Sequence, residues 1–392
     1  MADDPFFSLP QNSEWNALIG KQGERTFYAE GYIEAALELA TLIIKEKRYD
    51  QRDTLVMPIL YNARHSIELH LKLFIDALVD VGILRTGHRA NHDIASQFSH
   101  LHNARIADLK TRTLLDQLKP FVDSLSHIDN DGQEFRYFEN RDGDPSLEGK
   151  ALANIAVIGS SLTDLKTVLN DLRYRTWSLC DEYQTGTHTN WLSRNDLFDI
   201  AALLPKRENW SDLSFDDAKD TAMTIFGISK KQFTIALDKM QEARELKAAL
   251  GVETPLVHLT DDKAIFLAEQ WKIIHPPREP SDLGIDFFDP DRFEKLFEND
   301  EQEKEALKKI EAEITVDELA DAETIFYLAR DRGYTEYYEE ALERKKREFQ
   351  ARNDISAEIR DLTQKTSFLM MLEAGVRKLG RLALAERLQQ MQ

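Results

Sequence analysis

The chain has 392 residues, 42% of them hydrophobic and 31% charged, with a formal net charge of −20. That apolar content excludes wholesale disorder, and the length is comfortable for two domains that each bury a core. The negative balance excludes a surface coated with phosphate-binding side chains, though not a local basic patch, and the lone Cys180 excludes both an internal disulfide and a multi-cysteine zinc site.

The N-terminal stretch "MADDPFFSLPQNSEW" carries acidic residues where a secretory signal needs a basic region and then an apolar run. Apolar windows such as "GYIEAALELATLII" and "FLMMLEAGV" are broken by Glu or fall short of the roughly 20 residues that span a bilayer. The expectation is a cytoplasmic protein with no membrane partner.

Apolar residues recur at three- and four-residue spacing along nearly every long segment, and strand-like alternation is almost absent, which predicts an all-α fold. Helices are expected over 22–47, 55–81, 104–122 and 152–177, each with one apolar stripe, and four such helices make a bundle. The stretch "HIDNDGQEFRYFENRDGDPSLEG" between the third and fourth is dense in Asp, Asn and Gly and reads as a long loop of the kind that often carries function. "EYQTGTHTNW" looks like a junction, so the domains are placed at 1–185 and 186–392.

The second domain is expected to be helical over 193–204, 215–226, 229–250 and 261–271, with a proline-rich connector over 274–292. Further helices follow over 292–312, within "TVDELADAETIFYLARDRGYTEYYEEALERKKREFQ", and over 355–389. Thr315 with Glu318 has the spacing of a capping box. No fixed-period repeat is visible.

The most informative stretch is "YNARHSIELHLKLFIDAL". On a helix Arg64, His65, Glu68 and Lys72 fall within about 100° of arc beside the apolar arc of Leu60, Ile67, Leu71 and Phe74. Glu68 and Lys72 have the favourable i, i+4 order and Arg64 reaches Glu68 from one turn earlier, so a salt-bridged strip at a helix or dimer contact explains the residues without chemistry. The same residues suit metal-independent RNA cleavage, which needs a base, an acid and a cation near the developing phosphate charge.

Here "RHSIELHLKLFI", the following "GHRANHDI" and the loop "EFRYFENRDG" resemble the HEPN class of helical domains, across about residues 20–180. That resemblance implies a dimeric helical bundle in a bacterial defence or toxin setting that binds or cleaves RNA. Ribonuclease members are similar in placing an arginine, about four to six residues, then a histidine. Arg64 with His70 fits that spacing, as does Arg85 with His92. On a continuous helix, however, His70 lies about 120° from Arg64 around the axis, and Arg64 with the adjacent His65 is the better geometric pair. The expected catalytic set is therefore Arg64, His65, Glu68 and His70, with Arg64 on phosphate, His65 on a proton, Glu68 orienting Arg64 and Lys72 adding charge. Lys72, His88, His92, Arg136 and Arg141 are the expected RNA- or partner-binding residues.

The group His88, His92, His100 and His102 invites a metal reading, but Asp93 is the one carboxylate nearby and hydrogen-bonded turn histidines are commoner, so no metal or cofactor is expected. In "EFRYFENRDG", Arg136 is placed to bind phosphate or to pair with Glu68, against a plain ordered turn anchored by Phe135, Tyr137 and Phe138. "DAKDTAMTIFGISKKQFTIALDKM" resembles a helix-turn-helix, with Gly227 at the turn, Ala222, Phe233 and Ala236 packing, and Lys230, Lys231 and Lys239 outward among Asp216, Asp217, Asp220 and Asp238. The aromatic group Tyr334, Tyr337 and Tyr338 reads as packing or interface material, and the basic run at 344–347 as a solvated helix face. GxxxxGK[ST], HExxH, GxSxG and a Rossmann glycine pattern are all absent.

Two alternatives to the RNA reading stand beside it. One is a non-enzymatic helical scaffold acting through homodimerisation and a protein partner held by the C-terminal domain; the other is a DNA-binding regulator.

Overall fold

The computed structural model describes residues 6–7, 13–18, 25–137, 139, 146–147, 152–276, 290–352 and 355–392, with 290–298 as backbone. The chain is all-helical, and no strand occurs among the described residues. It divides into two compact units, Met1–Asp181 and Glu182–Gln392. Among the described residues no helix is long and apolar enough to cross a membrane.

The first unit contains α1 (Thr26–Lys45), α2 (Arg52–Asp80), α3 (Ile94–Asn103), α4 (Leu109–Ser126) and most of α5 (Ile155–Gln184). α1 packs along α2, and α2 also meets α3 and α4. One core joins them, with Ala36 and Ile43 from α1, Ile59, Ile67, Leu71 and Phe74 from α2, Leu115 and Leu118 from α4 and Leu165 and Leu172 from α5 all buried. Two polar ties cross this core. Ser66 Oγ donates to the Ala29 carbonyl at 2.8 Å, and Arg175 grips the buried Asp108 through Nε at 3.0 Å and Nη2 at 2.7 Å. Asp108 also caps α4 by accepting from the Thr111 amide at 2.7 Å, so one carboxylate starts a helix and holds its neighbour.

The expected third helix, 104–122, corresponds to α4, and α3 ahead of it lies outside every expected helix. "HDIASQFSHLHN" reads as turn chemistry because of its histidines and polar residues, yet Asp93 accepts from the Ser96 amide at 2.8 Å and starts α3 immediately after it. Ile94, Phe98 and Leu101 are its buried face. The chain breaks at Arg105, whose φ is +45°, before Asp108 starts α4.

The second unit contains α6 (Arg194–Leu203), α7 (Leu213–Phe226), α8 (Lys230–Met240), α9 (Arg244–Ala249), α10 (Asp261–Ile274), α11 (Pro290–Glu313), α12 (Val316–Arg330), α13 (Tyr338–Arg352), α14 (Ile355–Thr363), α15 (Phe368–Lys378) and α16 (Leu382–Gln389). α12 is its centre, buried without interruption from Leu319 to Phe326. Thr315 and Glu318 form the capping box expected of them, with the Thr315 amide on Glu318 Oε2 at 2.8 Å and the Glu318 amide on Thr315 Oγ1 at 3.2 Å. Inside the core Asp321 accepts from the His258 and Leu259 amides, each at 2.8 Å, and from the Tyr338 hydroxyl at 2.6 Å, which satisfies a fully buried carboxylate. The expected helix 229–250 breaks between α8 and α9, and 355–389 breaks twice, the second time at Gly380 with φ +78°.

Candidate functional site

α2 presents Tyr61, Arg64, His65, Glu68 and Lys72 on one strip, and the segment 88–97 and the loop 129–136 close over it. Glu68 is the hub, with its side chain only 1% exposed. Its Oε2 accepts from Arg64 Nη1 at 2.7 Å, and its Oε1 takes Lys72 Nζ at 2.6 Å and His92 Nδ1 at 2.8 Å. His65 Nδ1 stands 3.7 Å from Oε2, at ion-pair rather than hydrogen-bond distance. Burial alone would raise the Glu68 carboxyl, but the contacts with His65, Lys72, Arg64 and His92 together hold it far below the usual carboxylate range. Glu68 is therefore an anion at any ordinary pH.

Arg64 is turned inward, also 1% exposed. Besides Glu68 it donates through Nε to the Asp129 carbonyl at 2.9 Å, through Nη2 to the Asn130 carbonyl at 2.8 Å, and to the His92 carbonyl. The loop that carries those acceptors turns at Gly132, φ +82°, where a Cβ would lie 3.0 Å from Arg64 Nη1. Four of its five N–H donors are spent on the protein and the guanidinium is buried, so in this arrangement Arg64 assembles the site and is not open to a phosphate.

The outward chemistry belongs to other residues. The His92 side chain is 68% exposed, that of Lys72 31% and that of His65 22%. His65 is held between Tyr32, edge-on at 4.5 Å, and Tyr61, stacked at 5.6 Å. Arg136 is exposed and lies 5.7 Å over the Tyr61 ring, continuing the strip, and its Nε donates to the Gly132 carbonyl. It does not pair with Glu68. Because Glu68 takes Nδ1 of His92, a neutral His92 carries its proton there and leaves the Nε2 lone pair outward.

The other expected residues lie elsewhere. His70 sits in the core behind the strip, with Nδ1 2.9 Å from the Ser66 carbonyl, and burial lowers its affinity for a proton below that of an ordinary imidazole. It does not converge with Arg64. His88 Nε2 pairs with Ser96 Oγ at 3.0 Å, His100 Nε2 with the Thr86 carbonyl at 2.9 Å and His102 Nε2 with Asp116 at 2.8 Å. Among the described residues no three metal-ligating side chains are grouped to hold an ion. Arg141 and Phe138 lie outside the described residues. The Cys180 thiol, pushed up to about 11 by burial with help from Asp181 and Asp80, is not a nucleophile near neutral pH.

Sequence reasoning found the strip but missed what closes it. Tyr32 and Tyr61 looked like ordinary helix residues, and the contribution of Asp129 and Asn130 is made by backbone carbonyls, which no residue type advertises. Only the glycine after "DND" signalled a tight approach there.

In the second unit α7 and α8 form a helix pair turning at Gly227, φ +66°, with Ala222, Phe226, Phe233 and Ala236 buried between them. Lys230 and Lys231 are exposed, while Lys239 pairs with Glu242 at 2.8 Å. Arg194 is held by Glu336 at 2.8 Å and Glu245 at 2.7 Å.

Fold and site thus define an all-helical protein of two units, with a buried glutamate in the first unit that orients two histidines and a lysine. No family model matches the chain, and neither a curated protein nor a solved structure does.

Proposed function

We propose that the first unit is a HEPN-like domain that cleaves RNA without a metal, and that the chemistry belongs to His92, His65 and Lys72 around Glu68. The observation that carries the reading is the pair of partly exposed histidines sharing one buried, permanently ionised carboxylate. In this reading His92 Nε2 takes the proton of a ribose 2′-hydroxyl, the 2′-oxygen bonds to phosphorus, and the bond from phosphorus to the 5′-oxygen breaks. His65, as imidazolium, gives its proton to that leaving oxygen. The products are a 2′,3′-cyclic phosphate and a 5′-hydroxyl end, with no proton unaccounted for. Lys72 and Arg136 balance the phosphate charge, a role moved here from Arg64 because the Arg64 donors are spent on Glu68 and three carbonyls.

The test is labelled RNA or tRNA incubated with the purified chain in excess chelator. His92→Ala and His65→Ala should each slow cleavage by about 10²–10⁴-fold without lowering the melting temperature by more than a few degrees. Cleavage that survives both substitutions together sinks the assignment.

A second reading, a non-enzymatic scaffold dimerising through the same unit, is favoured by the burial of Arg64 and its bonds to three backbone carbonyls. It predicts that chelated RNA stays intact and that the histidine substitutions change only stability. The third reading, DNA binding by α7 and α8, rests on exposed Lys230 and Lys231 after the Gly227 turn. It requires mobility shifts that vanish in Lys230→Glu with Lys231→Glu.

A further inference from the structure

The proton transfer proposed above for His65 needs its imidazole held in one orientation, and Glu68 does not supply that hold. His65 Nδ1 stands 3.7 Å from Glu68 Oε2, whereas His92 Nδ1 is 2.8 Å from Oε1. A contact of 3.7 Å is an ion pair without a directed hydrogen bond, so it places a charge beside the ring and leaves the ring's angle free. Burial does not wedge His65 either, since its side chain is 22% exposed. Its ring neighbours are both aromatic. Tyr61 lies parallel to it at 5.6 Å with 8° between the planes, and Tyr32 meets it edge-on at 4.5 Å and 89°.

Tyr61 has a second contact that Tyr32 lacks. It precedes His65 by one turn of α2, so helix geometry sets the spacing of the two rings, and the Arg136 guanidinium lies 5.7 Å from its ring centroid and 5.4 Å from that of Tyr137. The loop fixes that guanidinium, because Arg136 Nε donates to the Gly132 carbonyl. The same loop is tied to α2 by Arg64, through Nε on the Asp129 carbonyl at 2.9 Å and Nη2 on the Asn130 carbonyl at 2.8 Å. A cation over an aromatic face is attracted by the electron density there, so the Tyr61 ring is restrained by the loop as well as by the imidazole. Contacts therefore run without a gap from the loop backbone through Arg136 and Tyr61 to His65.

We propose that Tyr61 is the positioning residue of His65, backed by Arg136 over its ring. It keeps Nδ1 on the Glu68 side and leaves Nε2 outward, where the leaving oxygen needs its proton. The part it plays in cleavage rests on the RNA reading above, and its hold on the imidazole rests on the stacking alone. Tyr61 touches no reacting atom, and its effect passes through His65. A donor aligned before the substrate arrives has nothing left to order at the moment of transfer, and a misplacement of about 1 Å costs on the order of 10²-fold in rate. Because the face of the ring makes the hold, Phe should serve at this position and an aliphatic side chain should not.

The test has two independent readouts on the full chain. The first is steady-state RNA cleavage in excess chelator, where Tyr61→Leu should lower kcat by about tenfold or more with KM within about twofold, and Tyr61→Phe should stay within about threefold of the wild-type kcat. The second needs no activity: long-range proton-nitrogen magnetic resonance spectra of the chain with labelled imidazoles, His65→Ala identifying the His65 signals. With the pH set above the ordinary imidazole range, His65 should be a single tautomer protonated at Nδ1 in the wild type and in Tyr61→Phe, and a mixture in Tyr61→Leu. Arg136 is exposed, so Arg136→Ala takes the place of Tyr61→Leu if that variant fails to fold, and it should give the same mixture. The proposal is overturned if wild-type His65 is itself a mixture, if the substitution leaves the tautomer unchanged, if Tyr61→Phe is as damaging as Tyr61→Leu, or if the loss falls on KM. A wild-type chain that leaves RNA intact while Tyr61→Leu releases the tautomer removes the cleavage reading and keeps this inference. Cleavage at the wild-type rate by the Tyr61→Leu chain does the reverse.

Discussion

Arg64 and Glu68 form a buried pair whose value is in what each would cost alone. Removing one partner of such a pair leaves an uncompensated charge in the core, a loss of about 3–5 kcal/mol. Arg64→Ala should therefore lower stability by that amount, measured by urea unfolding, and a change within about 0.5 kcal/mol, the range of ordinary surface substitutions, would show that the four donated bonds are not holding the loop. Gly132 is the complementary position. A methyl group there meets a guanidinium that cannot swing away, at a backbone φ of +82° that disfavours any Cβ. Gly132→Ala should cost about 1–3 kcal/mol and, by loosening the loop over His92, reduce the proposed RNA cleavage along with stability. An unchanged melting temperature would contradict the contact.

At the scale of elements, α12 can be buried on every side because its neighbours come unusually close. α15 meets it at Gly375, where an added Cβ would collide with the Ile325 carbonyl, a backbone atom that cannot yield. Gly375→Ala should destabilise the second unit by about 1–3 kcal/mol, seen as a lower midpoint in denaturant, while the RNA cleavage proposed for the first unit stays at the wild-type rate. Loss of cleavage in that variant would contradict the placing of the proposed site wholly in the first unit. The break between α3 and α4 has the same kind of origin. Asp93 and Asp108 each accept a backbone amide at a helix start, so α3 and α4 begin separately, and α3 stands ahead of the segment 104–122 that reads as one helix and forms α4.

For the whole molecule, acid stability follows from the hub. The folded value of Glu68 lies below its unfolded one, so its stabilisation is complete above the usual carboxylate range and is lost as pH falls through that range toward the folded value. His70 works in the same direction, because the unfolded chain takes up a proton at ordinary imidazole pH that the buried ring resists. Urea stability of the full chain should therefore fall steadily on acidification. Glu68→Gln, less stable at neutral pH, should show a shallower slope below the carboxylate range. Equal slopes would show that the hub does not titrate as described.

Periodicity alone predicted the all-α fold that the described residues show, and the strip on α2 followed from spacing, because neighbours on one helix are fixed by 3.6-residue geometry. The same arithmetic placed His70 about 120° from Arg64 around the axis; in the fold Arg64 donates to the Asp129 carbonyl and His70 Nδ1 lies against the Ser66 carbonyl. The Thr315 and Glu318 box and the Gly227 turn were legible for a similar reason: both are local, set within a few residues by backbone chemistry. Contacts between distant segments were not. His92 on Glu68 and the Asp129 and Asn130 carbonyls on Arg64 depend on how the 88–97 segment and the 129–136 loop fold back onto α2. A sequence lists the donors of Arg64 but not the acceptors that consume them, and only the tertiary structure turned the most conspicuous candidate for catalysis into the residue that holds the others in place.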